Sequence, residues 1–314
     1  MKKFLWGILK FIIFIISFCI MILIINFFIN KNITVTKYYI EHYKVSENFK
    51  DYKILQLTDI HSIRTEAQSE KIINTVKNEK PNIIFITGDL IDSEYYTEQN
   101  NKYKAGEIDF PDNLTIDFMK KLTEIASVYM VYGNHEMMLL DNPENNVFKN
   151  ALEEIGVNII NNKKEVISIG EESIELIGVQ DPATLYKDKK YADVGENNKD
   201  KVKQILDDLF STEKSKDDNK KEQYKILLSH RPEYFDLYKQ YEIDLALTGH
   251  THGGIVALPE IGGLYAHPQG WFPEYVTGVY KTENFQMIVG NGLGYSKVPI
   301  RIFNPPEIIS INLK

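Results

Sequence analysis

Apolar residues follow two regimes along this chain. Between positions 4 and 29 they are almost unbroken, interrupted by Lys10 and a few small or polar residues. From Tyr52 onward they come in short runs, each closed by a sharp polar motif and followed by a helical spacing. Residues 53–58, 82–87 and 128–132 read as strands ending at Asp59, at Gly88-Asp89 and at Gly133-Asn134-His135. Helical periodicity occupies 67–78 and 116–125 between them. Residues 173–179, 225–228 and 244–248 continue the strand series, the last two ending at Ser229-His230 and Gly249-His250. Strands alternating with helices predict an α/β fold. The tail from Gly263 to Lys314 differs. Its apolar runs at 276–280, 286–289 and 308–313, set among Gly, Pro and aromatic residues, predict strands with no helices between them.

About 20 apolar residues cross the hydrocarbon core of a bilayer, and residues 11–29 reach that length without a charge. A cleaved signal peptide has a shorter apolar region of about 7–15 residues and a small-residue cleavage site. Asn26-Phe27-Phe28-Ile29-Asn30 offers no such site. The expectation is a transmembrane anchor over 1–30, a β-rich connector over 31–51 and one large domain over 52–314. Within that domain, residues 186–223 form a charged insertion, helical over 201–210 and a solvated loop over 211–222. Lys2, Lys3 and Lys10 precede or open the apolar run, against Lys31 and Lys37 after it. The positive-inside rule then predicts a single-pass protein of the cell membrane with its large domain extracytoplasmic.

Composition narrows the function classes. The net charge of -8 argues against a stable complex with nucleic acid, which calls for a basic footprint. The single cysteine, Cys19, lies inside the apolar run. That excludes an intrachain disulfide, and leaves the large domain without a cysteine nucleophile or a thiolate metal site.

Ligand-type residues recur directly after the apolar strands. Side chains at the carboxyl ends of strands in an α/β sheet share one crevice. Asp59, His61, Asp89, Asn134, His230, His250 and His252 could therefore converge. Carboxylates mixed with imidazoles suit divalent ions such as Mn, Fe or Zn. One carboxylate can bridge two ions about 3.5–4 Å apart, a pair able to generate hydroxide near neutral pH and clamp a phosphoryl group. Asp59-Ile60-His61 and His250-Thr251-His252 each put two ligands on one side of an extended chain. Taken singly, an Asp-x-His triplet or a Gly-Asn turn needs no metal. Two histidines between glycines at a strand end have no packing role, and the ordered set of motifs points to a metal centre.

Asp59-x-His61, Gly88-Asp89, Gly133-Asn134-His135-Glu136, His230 and Gly249-His250-Thr251-His252 resemble the signature of the calcineurin-like metallophosphoesterase superfamily. Asn291-Gly292-Leu293-Gly294, Pro299-Ile300-Arg301 and Asn304-Pro305-Pro306-Glu307 resemble its bacterial membrane-associated branch typified by YkuE and YaeI. The resemblance implies a four-layer αββα sandwich. It implies that Asp59, His61 and His252 hold one metal, that Asn134, His230 and His250 hold the other, and that Asp89 bridges both. His135 matches the family's non-ligand histidine, which assists the leaving group or binds the phosphoryl oxygens. Asp92 matches the acid that orients this histidine; the bare reading of Asp92 is a helix N-cap. Relatives in the branch often carry Gln where this chain has Ile255 and Arg where it has Asn291.

Arg231 could bind a substrate phosphate or sit in a structural salt bridge. Trp271, Phe272, Tyr275, Tyr265 and Tyr295 could grip an acyl chain, a sugar or the membrane surface, and core packing also accounts for them. Asp181 reads as a turn residue, and His42 and His267 receive no role. The functional expectation is hydrolysis of a phosphoester or phosphoanhydride, with a lipid-linked or envelope substrate, by a hydroxide held between two metals. The alternatives are a nuclease or cyclic-nucleotide phosphodiesterase, a non-catalytic metal-binding sensor and a structural envelope protein.

Overall fold

The computed structural model describes residues 2–140, 146–183, 196–211, 222–258, 261–267, 269–295 and 300–314. Two six-stranded mixed sheets form its centre. The first runs β1 (Thr34–Ile40), β16 (Glu307–Leu313), β2 (Lys53–Leu57), β3 (Ile83–Thr87), β4 (Ser127–Val131), β5 (Asn158–Ile159). The second runs β14 (Gly278–Lys281), β15 (Gln286–Val289), β9 (Leu245–Thr248), β8 (Tyr224–Leu228), β7 (Glu172–Gly178), β6 (Lys163–Ile169). Strands β2 to β5 run parallel, as do β7, β8, β9 and β15. Two short hairpins precede β14: β10 (Ala257–Leu258) with β11 (Gly262–Gly263), and β12 (Tyr265–Ala266) with β13 (Gly270–Trp271).

Near-continuous apolar runs are what strands buried on both faces require. Ile83 and Phe85 of β3 meet Ile226 and Leu228 of β8 and Leu247 of β9 in a cluster between the sheets. Ile84 and Ile86 point the other way, onto helices α2 (Glu66–Glu79), α4 (Asn113–Thr123) and α6 (Asn146–Glu154), through Ile72, Phe118 and Phe148. On the far side, Leu227 and Ala246 pack under Leu206 of α7 (Glu196–Ser211) and Leu237 of α8 (Phe235–Tyr238). The layers are therefore helix, sheet, sheet, helix, as the motif resemblance implies. Two further helices, α3 (Ser93–Lys104) and α5 (Asn134–Leu140), begin in the loops that follow β3 and β4.

Helix α1 (Lys2–Asn30) includes a 28-residue stretch long and apolar enough to cross a membrane, and none of its most apolar window is buried. At about 1.5 Å per residue it spans about 42 Å. Its last turn is tied to the domain. Asn30 Nδ2 donates to the Arg301 carbonyl at 2.6 Å, and Asn26 Oδ1 accepts from the Phe303 amide at 3.1 Å.

Some features differ from the sequence expectation. Part of the segment read as a connector, β1, lies in the first sheet, paired with β16. Strand β14 starts at Gly278, two residues after the run that suggested it. Helix α3 gives little periodic signal because it buries only Ser93, Tyr96 and Asn100. Of the charged stretch, α7 is described; 184–195 and 212–221, which hold most of the expected loop, lie outside the described residues.

Candidate metal centre

The carboxyl ends of β2, β3 and β4 in one sheet and of β8 and β9 in the other meet at one rim. Buried polar contacts lock the sheets there. Gln56 Nε2, on β2, donates to the Thr248 carbonyl of β9 at 2.8 Å and to Thr87 Oγ1 at 2.9 Å. His230 Nδ1 lies 2.8 Å from the Thr87 carbonyl across the same gap. A carbonyl only accepts, so Nδ1 carries a ring proton, and it is Nε2 that offers a lone pair to the rim once the ring is neutral.

Each strand then turns sharply. Asp59, His61, Asp89, His250 and His252 have φ of 50°, 52°, 51°, 71° and 49°. Such left-handed backbone in residues with a Cβ costs on the order of 1–3 kcal/mol each and persists where surrounding structure imposes it. Glycine is needed where these turns touch. A Cβ at Gly133 would overlap the Asp89 carboxylate, and one at Gly249 would overlap Thr58 and Asp59.

Asp59, His61 and His252 form a first group of ligand-type atoms and His230, His250 and Asp89 a second, and Asp89 also gathers with His61 and His135. In the first, His61 Nε2 and His252 Nε2 are 3.0 Å apart, with Asp59 Oδ1 3.5 Å from His252 Nε2. In the second, His230 Nε2 and His250 Nδ1 are 3.1 Å apart. Asp89 Oδ2 lies 3.2 Å from His230 Nε2 and 3.8 Å from His61 Nε2, while Oδ1 accepts the His135 amide at 3.0 Å. The family resemblance implies that Asn134 joins the second group, and its buried Oδ1 has no hydrogen-bond partner among the described residues.

These residues fit a pair of divalent cations. A buried amide oxygen without a partner calls for one, and a cation supplies it. Pairs of imidazole nitrogens facing each other direct lone pairs at a common point. Asp59 and Asp89 are 0% and 2% exposed. Among the described residues their ion-pair partners are histidines alone. Buried carboxylates need a counter-charge.

Without metal the cluster makes its own. Burial, opposed by His230 and aided by Asp89, pushes Asp59 up to about 6. Burial pushes His61 down to about 3. Burial would also lower His230, but the adjoining Asp89 carboxylate outweighs it and the ring is pushed up to about 10. Metal binding is thereby coupled to loss of a proton from His230.

A model of the calcineurin-like phosphoesterase family matches residues 52–254, which include every ligand-type residue of this rim. The chain belongs to this family. It is 27% identical to the uncharacterized metallophosphoesterase YkuE of Bacillus subtilis, over 90% of this chain and 86% of the relative. It is 23% identical to phosphodiesterase YaeI of Escherichia coli, over 85% and 84% of the two chains. A Danio rerio transmembrane protein with a metallophosphoesterase domain is 24% identical over 86% of this chain and 55% of that protein. The chain is thus a hydrolase of the YkuE/YaeI-like branch, binding two divalent metals and acting on phosphoesters.

The remaining site residues divide. His135 stands edge-on to His61 with ring centroids 4.6 Å apart. Its Nδ1 accepts the Ser93 amide at 2.9 Å. The neutral ring therefore carries its proton on Nε2. Among the described residues Asp92 makes no hydrogen bond or ion pair with His135. It caps α3, its Oδ1 accepting from Glu94 and Tyr95 at 3.0 and 2.9 Å, with Arg64 3.4 Å from Oδ2. Any hold of Asp92 on His135 runs through the Ser93 amide that this cap positions. Arg231 is a correction to the substrate-binding reading. It is 1% exposed, with Nε 2.6 Å and Nη2 3.2 Å from the Asp181 carboxylate. A fork engaged deep in the protein has no reach to a substrate phosphate. Asp181, read as a turn residue, is the buried anchor of that pair.

Glu136 and Arg301 have roles that residue type and spacing do not reveal. Glu136 is fully buried and accepts the amides of Asp89, Gly133 and Ile91 at 2.9, 2.8 and 2.9 Å. It knits the two metal-bearing turns together; a carboxylate directly after Asn-His was its only signal. Arg301, 2% exposed, donates to the Gly294 and Asn291 carbonyls at 2.8 and 2.9 Å and lies 3.5 Å from His252 Nδ1. Ile255 has a φ of 56°, strained for a β-branched residue.

Proposed function

We propose that this enzyme is anchored in the cell membrane by α1 and hydrolyses a phosphodiester or pyrophosphate carried on an amphiphile at the membrane–water interface. One observation carries the substrate reading. The last turn of α1 is hydrogen-bonded to the 301–303 turn, whose Arg301 guanidinium lies 3.5 Å from His252. A cleft so close to an apolar helix meets lipid head groups before soluble esters.

In this reading Asp59, His61 and His252 would hold one metal and Asn134, His230 and His250 the other, with Asp89 between them. When bound, two such ions supply a nucleophile near neutral pH and offset charge on the phosphoryl oxygens. The protein's own groups orient the substrate. His135 Nε2–H donates a hydrogen bond to a phosphoryl or leaving-group oxygen. Glu136 and the cap at Asp92 hold the turns that carry Asp89 and His135. The metals are drawn from Mn, Fe and Zn, which suit mixed carboxylate and imidazole ligands.

The test uses the full chain, stripped with a chelator and reloaded with Mn, Zn or Fe separately. Phosphomonoesters, aryl phosphodiesters and lipid pyrophosphates in vesicles are then compared. Turnover should vanish on stripping, return with metal and be fastest on the vesicle-borne substrate. No turnover with any metal would leave a metal-binding sensor. Faster turnover of cyclic or oligomeric nucleotides would move the assignment to a nucleotide phosphodiesterase or nuclease.

Orientation follows from the lysines before the apolar run. A reporter fused after Lys314 should report an extracytoplasmic location, and protease should cleave the domain on intact spheroplasts. Cleavage only after lysis would place the domain in the cytoplasm and its substrates in the inner leaflet.

A further inference from the structure

Outside α1, exposed hydrophobic side chains concentrate in the tail that follows the metal centre. Ile261, Trp271 and Phe272 are 63%, 72% and 70% exposed, and Tyr295 and Ile300, further along the tail, are exposed as well. Core packing, one of the readings of these aromatics, holds for Tyr275, whose ring stacks on Phe235 at 5.2 Å. It does not hold for Trp271 and Phe272. The Trp271 ring is nonetheless held in place, edge-on to Tyr265 at 5.4 Å. Positions 261–273 contain no Asp, Glu, Lys or Arg. A charge-free, exposed apolar group of this kind marks an interaction surface.

Backbone hydrogen bonds connect this group to both the anchor and the metal rim. The Ile302 amide donates to Ile255 at 3.0 Å, and the Ala257 amide donates back to Ile302 at 2.9 Å. The Leu264 amide donates to Val256 at 2.9 Å, and the Phe272 amide to Leu264 at 2.9 Å. Three such steps of about 4.8 Å put Phe272 about 15 Å from the 302 segment. That segment holds the end of α1 through Asn26 and Asn30, and its Asn304 side chain donates to the His252 carbonyl. One ladder thus joins the end of an apolar helix, a ligand-type histidine and the exposed aromatic group.

We propose that Ile261, Trp271 and Phe272 form a lip that inserts into the headgroup layer of the bilayer beside α1. The occupant is lipid because α1 sets the level. Asn30 closes its apolar run, so the ladder tied to Asn30 starts at the interface, where Trp and other aromatic side chains are favoured. Only Gly253 and Gly254 separate His252 from Ile255, where the ladder begins. The inference rests on the membrane-anchored reading above.

Trp6 and Trp271 are the only tryptophans, so Trp6→Phe in the full chain leaves Trp271 as the sole indole reporter. This variant is reconstituted into vesicles of plain phospholipid or phospholipid brominated near the top of the acyl chain. A side chain about 5–10 Å into the headgroup boundary should lose roughly half or more of its emission to the bromines and be shielded from aqueous iodide. Emission unchanged by brominated lipid, with full iodide quenching, overturns the lip. Shielding from iodide without bromine quenching assigns the face to another protein or a second copy and overturns the lipid occupant. A chain that does not enter vesicles overturns anchor and lip together. The measurement needs no substrate. Turnover of soluble esters alone, with bromine quenching present, would remove the amphiphile reading and leave the lip.

Discussion

Asp89→Asn should abolish turnover and release metal from both positions. Asp89 Oδ2 approaches histidines of both groups, at 3.2 Å from His230 and 3.8 Å from His61, closer than Asp59 Oδ1, which lies 3.5 Å from His252 and 4.0 Å from His230. Its other oxygen already accepts the His135 amide. In the variant that amide will draw the remaining oxygen, turning an NH2 group toward the shared position. The substitution also removes one of two buried negative charges that call for cations. Turnover should fall by at least about 10²–10³-fold, the range for losing one preorganised electrostatic element. Metal analysis should find far less than two equivalents per chain. The fold should survive, because Glu136 bonds the backbone amide at position 89 and not its side chain. Two equivalents retained, with a normal melting temperature, would remove Asp89 from the shared role.

His135→Ala should keep both metals and lose about 10²–10³-fold in rate, as for removal of a donor aimed at developing charge. The contact that His135 makes to Asp89 is through its backbone amide, which alanine retains. Its ring is a different matter. The Ser93 amide occupies Nδ1, so the imidazole donates from Nε2 in its neutral form. A neutral imidazole works as a hydrogen-bond donor to an oxyanion rather than by handing over a proton. The loss should therefore be similar for esters with activated and unactivated leaving groups. A loss that shrinks steeply as the leaving group becomes more acidic would show that the ring is protonated during turnover. The Ser93 contact would then have to break, and His135 would be a general acid. Metal loss in the alanine variant would instead make it a ligand.

The sequence by itself determined the layers and the cluster of ligand-type residues. Strands buried on both faces leave runs such as Ile83-Ile84-Phe85-Ile86, and parallel strands deliver their next residues to one end of the sheet. Asp59, Asp89, Asn134, His230 and His250 each follow such a run, so their convergence was legible before any coordinate. What the local pattern could not carry was anything set by residues distant in the chain. Strand β16 inserts between β1 and β2, and only that pairing puts the 34–40 segment into the sheet. Arg231 next to a ligand-type histidine looks like a phosphate fork until Asp181, buried beside it, engages it. Asp92 looks like an orienting acid, yet its oxygens face the start of α3 and Arg64, and the His135 tautomer is set by a backbone amide that no residue identity reveals. Trp271 and Phe272 are apolar in any scale, and only the hairpin geometry decides that they point into solvent. Residue type and spacing determine which groups can gather. Burial, tautomer and exposure depend on which neighbour the fold brings within hydrogen-bonding reach, and that was decided by the tertiary structure.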